Sequence, residues 1–208
     1  MANTQATFGF KHQGYLAGGA PDYQLSTYAI QKTNATAIGF GDPVSYVNAT
    51  SVYITQMVEQ TSATGNATTL PVVGIFQGCV YIPTSGLQIP TWSPYWPGVT
   101  VNADATAYVI DAPNAKFLVA TLQTAVTSAN IGNCVNFTSG APTTTGGGFS
   151  IATIDQSTAT SHGTTTLTLP FRILGLYPGV GNGSDPTTNY NWAVVGFNYQ
   201  LNRGFFGG

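Results

Sequence analysis

The side chains that most often carry out catalysis are few in this chain and far apart in the sequence. The two histidines are His12 and His162, and only His162 has a candidate nucleophile, Ser161, beside it. Serine hydrolases of the α/β class hold their nucleophile in a Gly-x-Ser-x-Gly turn, and that motif does not occur here. A single histidine in a loop rich in Ser and Thr is more often solvated than catalytic. A hydrolase that uses Ser161 and His162 is therefore the least favoured function.

Metal binding and general acid–base catalysis also lack the residue spacing that they need. A zinc site usually takes two pairs of Cys or His at short spacing, whereas Cys79, Cys134 and both histidines are isolated from one another. We expect the two cysteines to be buried thiols. Asp104 and Asp111 are seven residues apart, which places them on opposite faces of a strand or in turns. The sequence therefore predicts no enzyme, no catalytic residue, no metal ligand and no cofactor.

Aromatic side chains are the remaining candidates for a binding function. Trp92, Tyr95 and Trp96 lie in Ile89–Gly98, a segment whose three prolines favour a loop or an edge strand. Such rings could stack on sugars, as in a carbohydrate-binding module, or pack against a protein. A protein interface is favoured, because exposed clusters of large rings usually mark one. Further candidate interface residues near the two ends of the sequence are Phe8, Phe10, Tyr15, Phe205 and Phe206.

The composition limits the partners that these rings could meet. Only 6% of residues are charged, with 5 Lys and Arg against 7 Asp and Glu, where soluble domains have about 25%. So few cations offer little of the phosphate neutralisation on which nucleic-acid binding depends. No apolar run reaches the roughly 18 residues of a membrane-spanning helix, and the first residues do not resemble a secretion signal. We therefore expect no nucleic-acid partner, no membrane, and synthesis in a cytoplasm.

Short runs of β-branched and aromatic residues alternate with turn signals from residue 23 onward. Ser51–Met57 is typical of a strand, and Thr166–Leu169 alternates with the period of a strand that has one solvated face. Lys116–Val126 has partial helical spacing, but its β-branched residues and its lack of a charged face favour a strand. The pattern predicts one all-β domain over residues 23–208, a β-sandwich or barrel-like fold with long loops. Residues 1–22 are predicted to be an extended N-terminal arm with anchoring rings and no regular element.

Several segments resemble the decoration, or capsid cement, proteins of tailed bacteriophages. The similar segments follow the same order over nearly the whole chain, and none of them carries a catalytic residue. They are Gly9–His12, Gly18–Pro21, Ser26–Ile30, Ala37–Val44 with its Gly-Asp-Pro-Val turn, Val73–Cys79, Tyr95-Trp96, Ala107–Asn114, Asn130–Asn133, Leu169–Leu176, Trp192–Asn198 and Asn202–Gly204.

The resemblance implies a structural protein of the virion, located on the capsid exterior. It implies that the chain binds the outer surface of an expanded capsid and bridges neighbouring major capsid protein subunits. Symmetric oligomers suit this task, so we expect a homotrimer or homodimer on a local symmetry axis. A neutral surface rich in Thr and Asn suits packing against identical copies with little repulsion. The alternative function is a virion-surface β module that binds carbohydrate through Trp92, Tyr95 and Trp96.

Overall fold

A computed structural model of the chain describes residues 3–21, 24–57, 70–143, 147–160 and 169–202. These residues contain twelve β-strands and one short 3-10 helix, Ser128–Asn130. No helix in this part of the chain is long and apolar enough to cross a membrane. The strands form two antiparallel sheets that pack together. The prediction of an all-β fold is confirmed, and its form is a β-sandwich, not a closed barrel.

Sheet A, as far as the described residues show it, has six strands. In spatial order they are β1 (Lys11–Tyr15), β8 (Ala115–Ala120), β12 (Trp192–Phe197), β11 (Phe171–Leu176), β9 (Cys134–Thr138) and β10 (Thr153–Thr160). Lys116–Val126, the segment with partial helical spacing, is a strand, β8, in its first half. Its β-branched residues predicted this.

Sheet B is built around one long central strand. In spatial order it consists of β2 (Ser26–Ile30), β7 (Ala105–Ile110), β5 (Gly74–Tyr81), β3 (Pro43–Tyr46) and β4 (Ile54–Gln56). The sixth strand, β6 (Thr91–Ser93), pairs with the last three residues of β5. The proline-rich segment thus supplies a short edge strand, as its composition predicted.

Aromatic rings fill the core between the inner face of sheet A and one end of sheet B. Phe10 lies at its centre, with its ring stacked on Phe171 at a centroid distance of 4.4 Å. Phe117 and Phe137 meet Phe10 edge-on at 6.4 and 6.2 Å. Edge-on and offset pairs of this kind add to the free energy gained from burying the rings. A second cluster, around Phe76 and Trp96, packs on the other side of sheet B from Ile75 and Ile110, which belong to the first cluster.

The N-terminal segment is part of the sandwich, and the prediction that it has no regular element is wrong for β1. Lys11 pairs with Leu118, and His12 pairs with Phe117. Phe10 is fully buried, and its backbone N–H donates to the carbonyl of Gly41 at 2.9 Å. The alternation of buried and exposed residues in β1 covers only five positions, and a glycine interrupts it. That pattern is too short to identify a strand from the sequence.

We predict that Phe10→Ala lowers the free energy of unfolding by about 3–5 kcal/mol, the range for removing a buried phenylalanine ring. Phe8→Ala is the matched control, because Phe8 is only partly buried, with its ring edge-on to Trp192 at 5.0 Å. Denaturant unfolding of both variants measures the difference. Equal losses for the two variants would show that Phe10 is not at the centre of the core.

Candidate functional site

The titratable side chains of the described residues do not come together. No three His, Cys, Asp or Glu in this part of the chain could hold a metal ion. Cys79 and Cys134 are free and buried, as predicted, and they lie in different sheets. Burial raises the pKa of Cys79 to about 12, so it remains a protonated thiol at neutral pH. His12 is buried against Tyr15 and Phe117, whereas Ser161 and His162 lie outside the described residues.

Asp104 and Asp111, the two carboxylates that are close in sequence, lie at opposite ends of strand β7. Asp104 precedes β7 and accepts hydrogen bonds from the Lys32 backbone N–H and the Tyr53 hydroxyl, at 2.9 and 2.8 Å. The backbone bond and then the Tyr53 bond lower the pKa of Asp104. Asp111 follows β7 and accepts from the hydroxyls of Ser26 and Tyr28, both at 2.8 Å. The two aspartates have separate partners, so they do not form an acid–base pair.

One carboxylate is buried without a cation. Asp42 has no exposed surface and accepts hydrogen bonds from the Gly39 N–H at 2.6 Å, from Gln56 Nε2 at 2.7 Å and from the Ser150 hydroxyl. Burial raises the pKa of Asp42 to about 6, and the three hydrogen bonds oppose that rise. A Cβ on Gly39 would lie 2.8 Å from the backbone nitrogen of Ser150, so the close approach requires glycine. Asp42 thus joins three segments of the chain and faces no solvent.

Trp92, Tyr95 and Trp96 do not form one exposed platform. Trp96 is fully buried, and its indole N–H donates to the carbonyl of Asn34 at 3.0 Å. Tyr95 is partly buried, with its ring over Gly148. Only Trp92 is largely exposed, at 59%. The prediction that Trp96 contributes to an interaction surface is wrong, because its ring packs in the buried cluster with Phe76 and against Tyr81.

The predicted interface rings near the N-terminus, Phe8, Phe10 and Tyr15, are buried within the chain to different extents. Phe10 has no exposed surface, so its prediction as an interface residue is also wrong. Phe8 and Tyr15 are partly buried at the margin of sheet A, with their rings against Trp192 and His12. The predicted residues Phe205 and Phe206 lie outside the described residues.

The first described residues are tied to a loop of their own chain. The Asn3 side chain donates to the Asp185 carbonyl at 2.8 Å and accepts from the Gly183 N–H at 2.9 Å. The Thr4 N–H donates to Asn182 Oδ1 at 2.7 Å, and Asn182 Nδ2 donates back to the Thr4 carbonyl at 3.1 Å. These reciprocal bonds hold the N-terminal segment against the body of the sandwich.

One side of sheet B presents a row of uncharged side chains. In register across four strands, Ala29 pairs with Thr106, Thr106 with Val80, and Val80 with Trp92. Their sequence neighbours, such as Ile30, Cys79 and Ala107, point into the cluster around Phe76 and Trp96, so the row points away from that cluster. Thr27 pairs with Tyr108 on the same side. We call this set the neutral face: Thr27, Ala29, Val80, Trp92, Thr106 and Tyr108.

An exposed apolar loop leads into the neutral face. The residues between β5 and β6 include Leu87, which is 86% exposed, and Ile89, which is 55% exposed. Of this whole surface only Trp92 was predicted from the sequence. Tyr108 and Thr106 were identifiable from the alternation in Ala105–Ile110, where small core residues alternate with larger polar ones. Leu87 and Ile89 carried no sequence signal, because single apolar residues in loops are common.

This surface consists of uncharged polar and apolar side chains. It combines four strands of sheet B, hydroxyl groups that can donate or accept, and an apolar loop ending at an exposed indole. No family model, no curated protein and no solved structure matches the chain.

We predict that Asp42 makes the fold less stable as the pH rises from about 4 to 6. Its pKa is about 6 in the folded chain against an ordinary 3.8, so the unfolded chain loses the proton first. Below about pH 4 the proton bound to Asp42 makes its full contribution to the free energy of unfolding, about 3 kcal/mol. This contribution is lost as the pH rises through about 6. The free energy of unfolding, measured at intervals from pH 4 to 7, should show this fall.

The variant Asp42→Asn removes the titrating group, so this fall should disappear from its profile. Asp104→Asn is the control: the pKa of exposed Asp104 is lowered, so its effect lies below pH 4. A wild-type profile that is parallel to that of Asp42→Asn between pH 4 and 6 would contradict the assignment.

Proposed function

We propose that this chain is a structural virion protein that binds the outer surface of a tailed-phage capsid. It bridges neighbouring major capsid protein subunits and thereby stabilises the expanded shell, without catalysis. The observation that carries the proposal is the neutral face with its apolar loop, an uncharged docking surface on a rigid sheet. The ordered resemblance of many segments to decoration proteins supports the same function.

The neutral face and the loop between β5 and β6 make the main contact with the coat. Leu87, Ile89 and Trp92 supply exposed apolar area that a partner would remove from water, at about 25 cal/mol for each Å². The threonines of β2 and β7 supply hydrogen bonds without the cost of desolvating charge. Partly exposed Phe8 and Tyr15 lie on the other sheet, where they serve mainly to anchor the N-terminal segment.

Because many copies of the protein bind around the shell, each copy needs only a modest contact area with the coat to stabilise it. A contact of the order of 1,000 Å² is small for a single stable complex. A dimer or trimer on a local symmetry axis engages several coat subunits at once, so the later contacts form at high effective concentration. Neutral surfaces also let copies lie side by side without repulsion. We propose that the chain acts as such an oligomer.

Carbohydrate binding receives no support from the arrangement of the rings. The alternative function required Trp92, Tyr95 and Trp96 to act together, and Trp96 is fully buried. A single exposed indole lacks the second ring that would hold the other side of a sugar.

We predict that the protein co-purifies with intact particles of the phage that encodes it, in a fixed ratio to the coat protein. Quantitative mass spectrometry of gradient-purified particles measures this ratio. A whole-number relation to the coat lattice is expected. Recovery of the protein only outside the particles, or in a ratio that varies between preparations, would contradict the function.

We predict that Trp92→Ser weakens binding to particles stripped of the protein by about 30-fold per site, equivalent to about 2 kcal/mol, because anchoring aromatic residues dominate such interfaces. Val180→Ser is the matched control, since Val180 is also apolar and 96% exposed but lies between β11 and β12 of sheet A. Sedimentation of particles with each variant measures the affinity. Equal loss in both variants would remove the neutral face from the contact.

A further inference from the structure

The outer side of sheet A carries three of the 5 Lys and Arg residues in the chain. Lys116 and Arg172 both pair with Gly196, one from each side, so the two cations flank a glycine in one row across the sheet. Lys11 pairs with Leu118, which is two residues beyond Lys116 on β8 and therefore on the same side. Phe117 and Phe171 point into the core, so this side points away from it. We call Lys11, Lys116 and Arg172 the cationic face.

The floor between the two central cations is apolar. Neighbouring strands lie about 4.8 Å apart, so the Cα atoms of Lys116 and Arg172 are about 10 Å apart. Gly196 has no side chain to fill this space, and Leu174 covers it: a Cβ on Gly196 would lie 3.0 Å from Leu174 Cδ1. Two cations therefore border a shallow apolar surface, which strengthens their interaction with an anion that displaces water from it.

The cations of this face have no anionic partner within the described residues. None of the three forms an ion pair there, and the buried Nε of Arg172 lacks a hydrogen-bond acceptor. Asp155 lies on the edge strand β10, where its carboxylate accepts from the N–H and hydroxyl of Ser157. Buried donors of this kind are rarely left unpaired in proteins. Rotation of the Arg172 side chain toward a carboxylate would give the guanidinium the bidentate partner that suits its planar donors.

We propose that the cationic face binds a carboxylate-bearing segment of a protein partner. The occupant is a protein and not a nucleic acid, because three cations in a chain of net charge −2 are too few for the roughly 6–10 phosphate contacts of nucleic-acid binding. Two to three carboxylates match the number and spacing of these cations. The neutral face lies on the other sheet, so the inference goes beyond the proposed function and does not depend on capsid binding.

The chain contains only three lysines, Lys11, Lys32 and Lys116, which makes the face accessible to a labelling experiment. The probe is a glutamate-rich decapeptide with, on average, one carboxylate converted to a succinimidyl ester, applied at low ionic strength. Mass spectrometry measures the peptide label on each lysine. This value is divided by the label that the same lysine acquires from neutral succinimidyl acetate. Lys32 follows β2 in sheet B and is the internal control. We expect Lys11 and Lys116 to exceed Lys32 by about threefold or more, the effect of an exposed ion pair.

Two further arms make the outcome decisive. The variant Arg172→Gln should lower the normalised label on Lys116 about threefold and leave Lys32 unchanged, with circular dichroism as the check on folding. If that variant does not fold, loss of the wild-type preference in 0.5 M NaCl replaces it, since salt screens exposed charges. Equal normalised labelling of the three lysines would overturn the proposal. So would displacement of the peptide by duplex DNA at lower concentration than by unmodified peptide, which would assign the face to nucleic acid.

Discussion

A single buried carboxylate joins the two sheets of this sandwich. Asp42 begins the turn into β3 of sheet B, and it accepts hydrogen bonds from Gln56 on β4 and from Ser150, which precedes β10 of sheet A. Gln56 also donates to the Gly140 carbonyl, beyond the end of β9, at 2.8 Å. The acceptor is satisfied by neutral donors alone, so the junction keeps its geometry without a countercharge. Its cost is the desolvation that raises the pKa of Asp42 to about 6.

The same junction positions the centre of the core. Gly41 directly precedes Asp42; its carbonyl accepts the backbone hydrogen bond of Phe10, while its own N–H donates to the Phe76 carbonyl at 2.8 Å. Phe10 is thereby directed between Phe117 and Phe171, and β1 continues along the edge of sheet A. With Phe117 and Phe171 turned toward Phe10, their sequence neighbours Lys116 and Arg172 point to the other side of sheet A. The packing around Phe10 thus determines the cationic face, whereas the neutral face is determined by the second cluster, around Phe76 and Trp96.

The sequence was sufficient for the fold class and insufficient for the direction of individual side chains. Period-two alternation and β-branched residues correctly predicted β7 and β8, because that pattern reports burial of one side of a strand. Trp92 and Trp96 are four residues apart in the same proline-rich segment, yet one is exposed and the other fully buried. Which ring enters the core depends on the pairing of β6 with β5, a long-range contact that no local pattern encodes. The cationic face was invisible for the same reason, since Lys116 and Arg172 meet only through Gly196.

The scarcity of charge has a different meaning once the charges are located. A composition of 6% charged residues suggests a uniformly neutral surface. Instead the acidic groups Asp42, Asp104 and Asp111 all hold loops or strand ends of their own chain through hydrogen bonds. The cations Lys11, Lys116 and Arg172 share one side of one sheet and have no such internal role. Because the described carboxylates are engaged in hydrogen bonds within the chain, Lys11, Lys116 and Arg172 are left as unpaired charges on one side of sheet A, a concentration of positive charge that a net charge of −2 does not indicate.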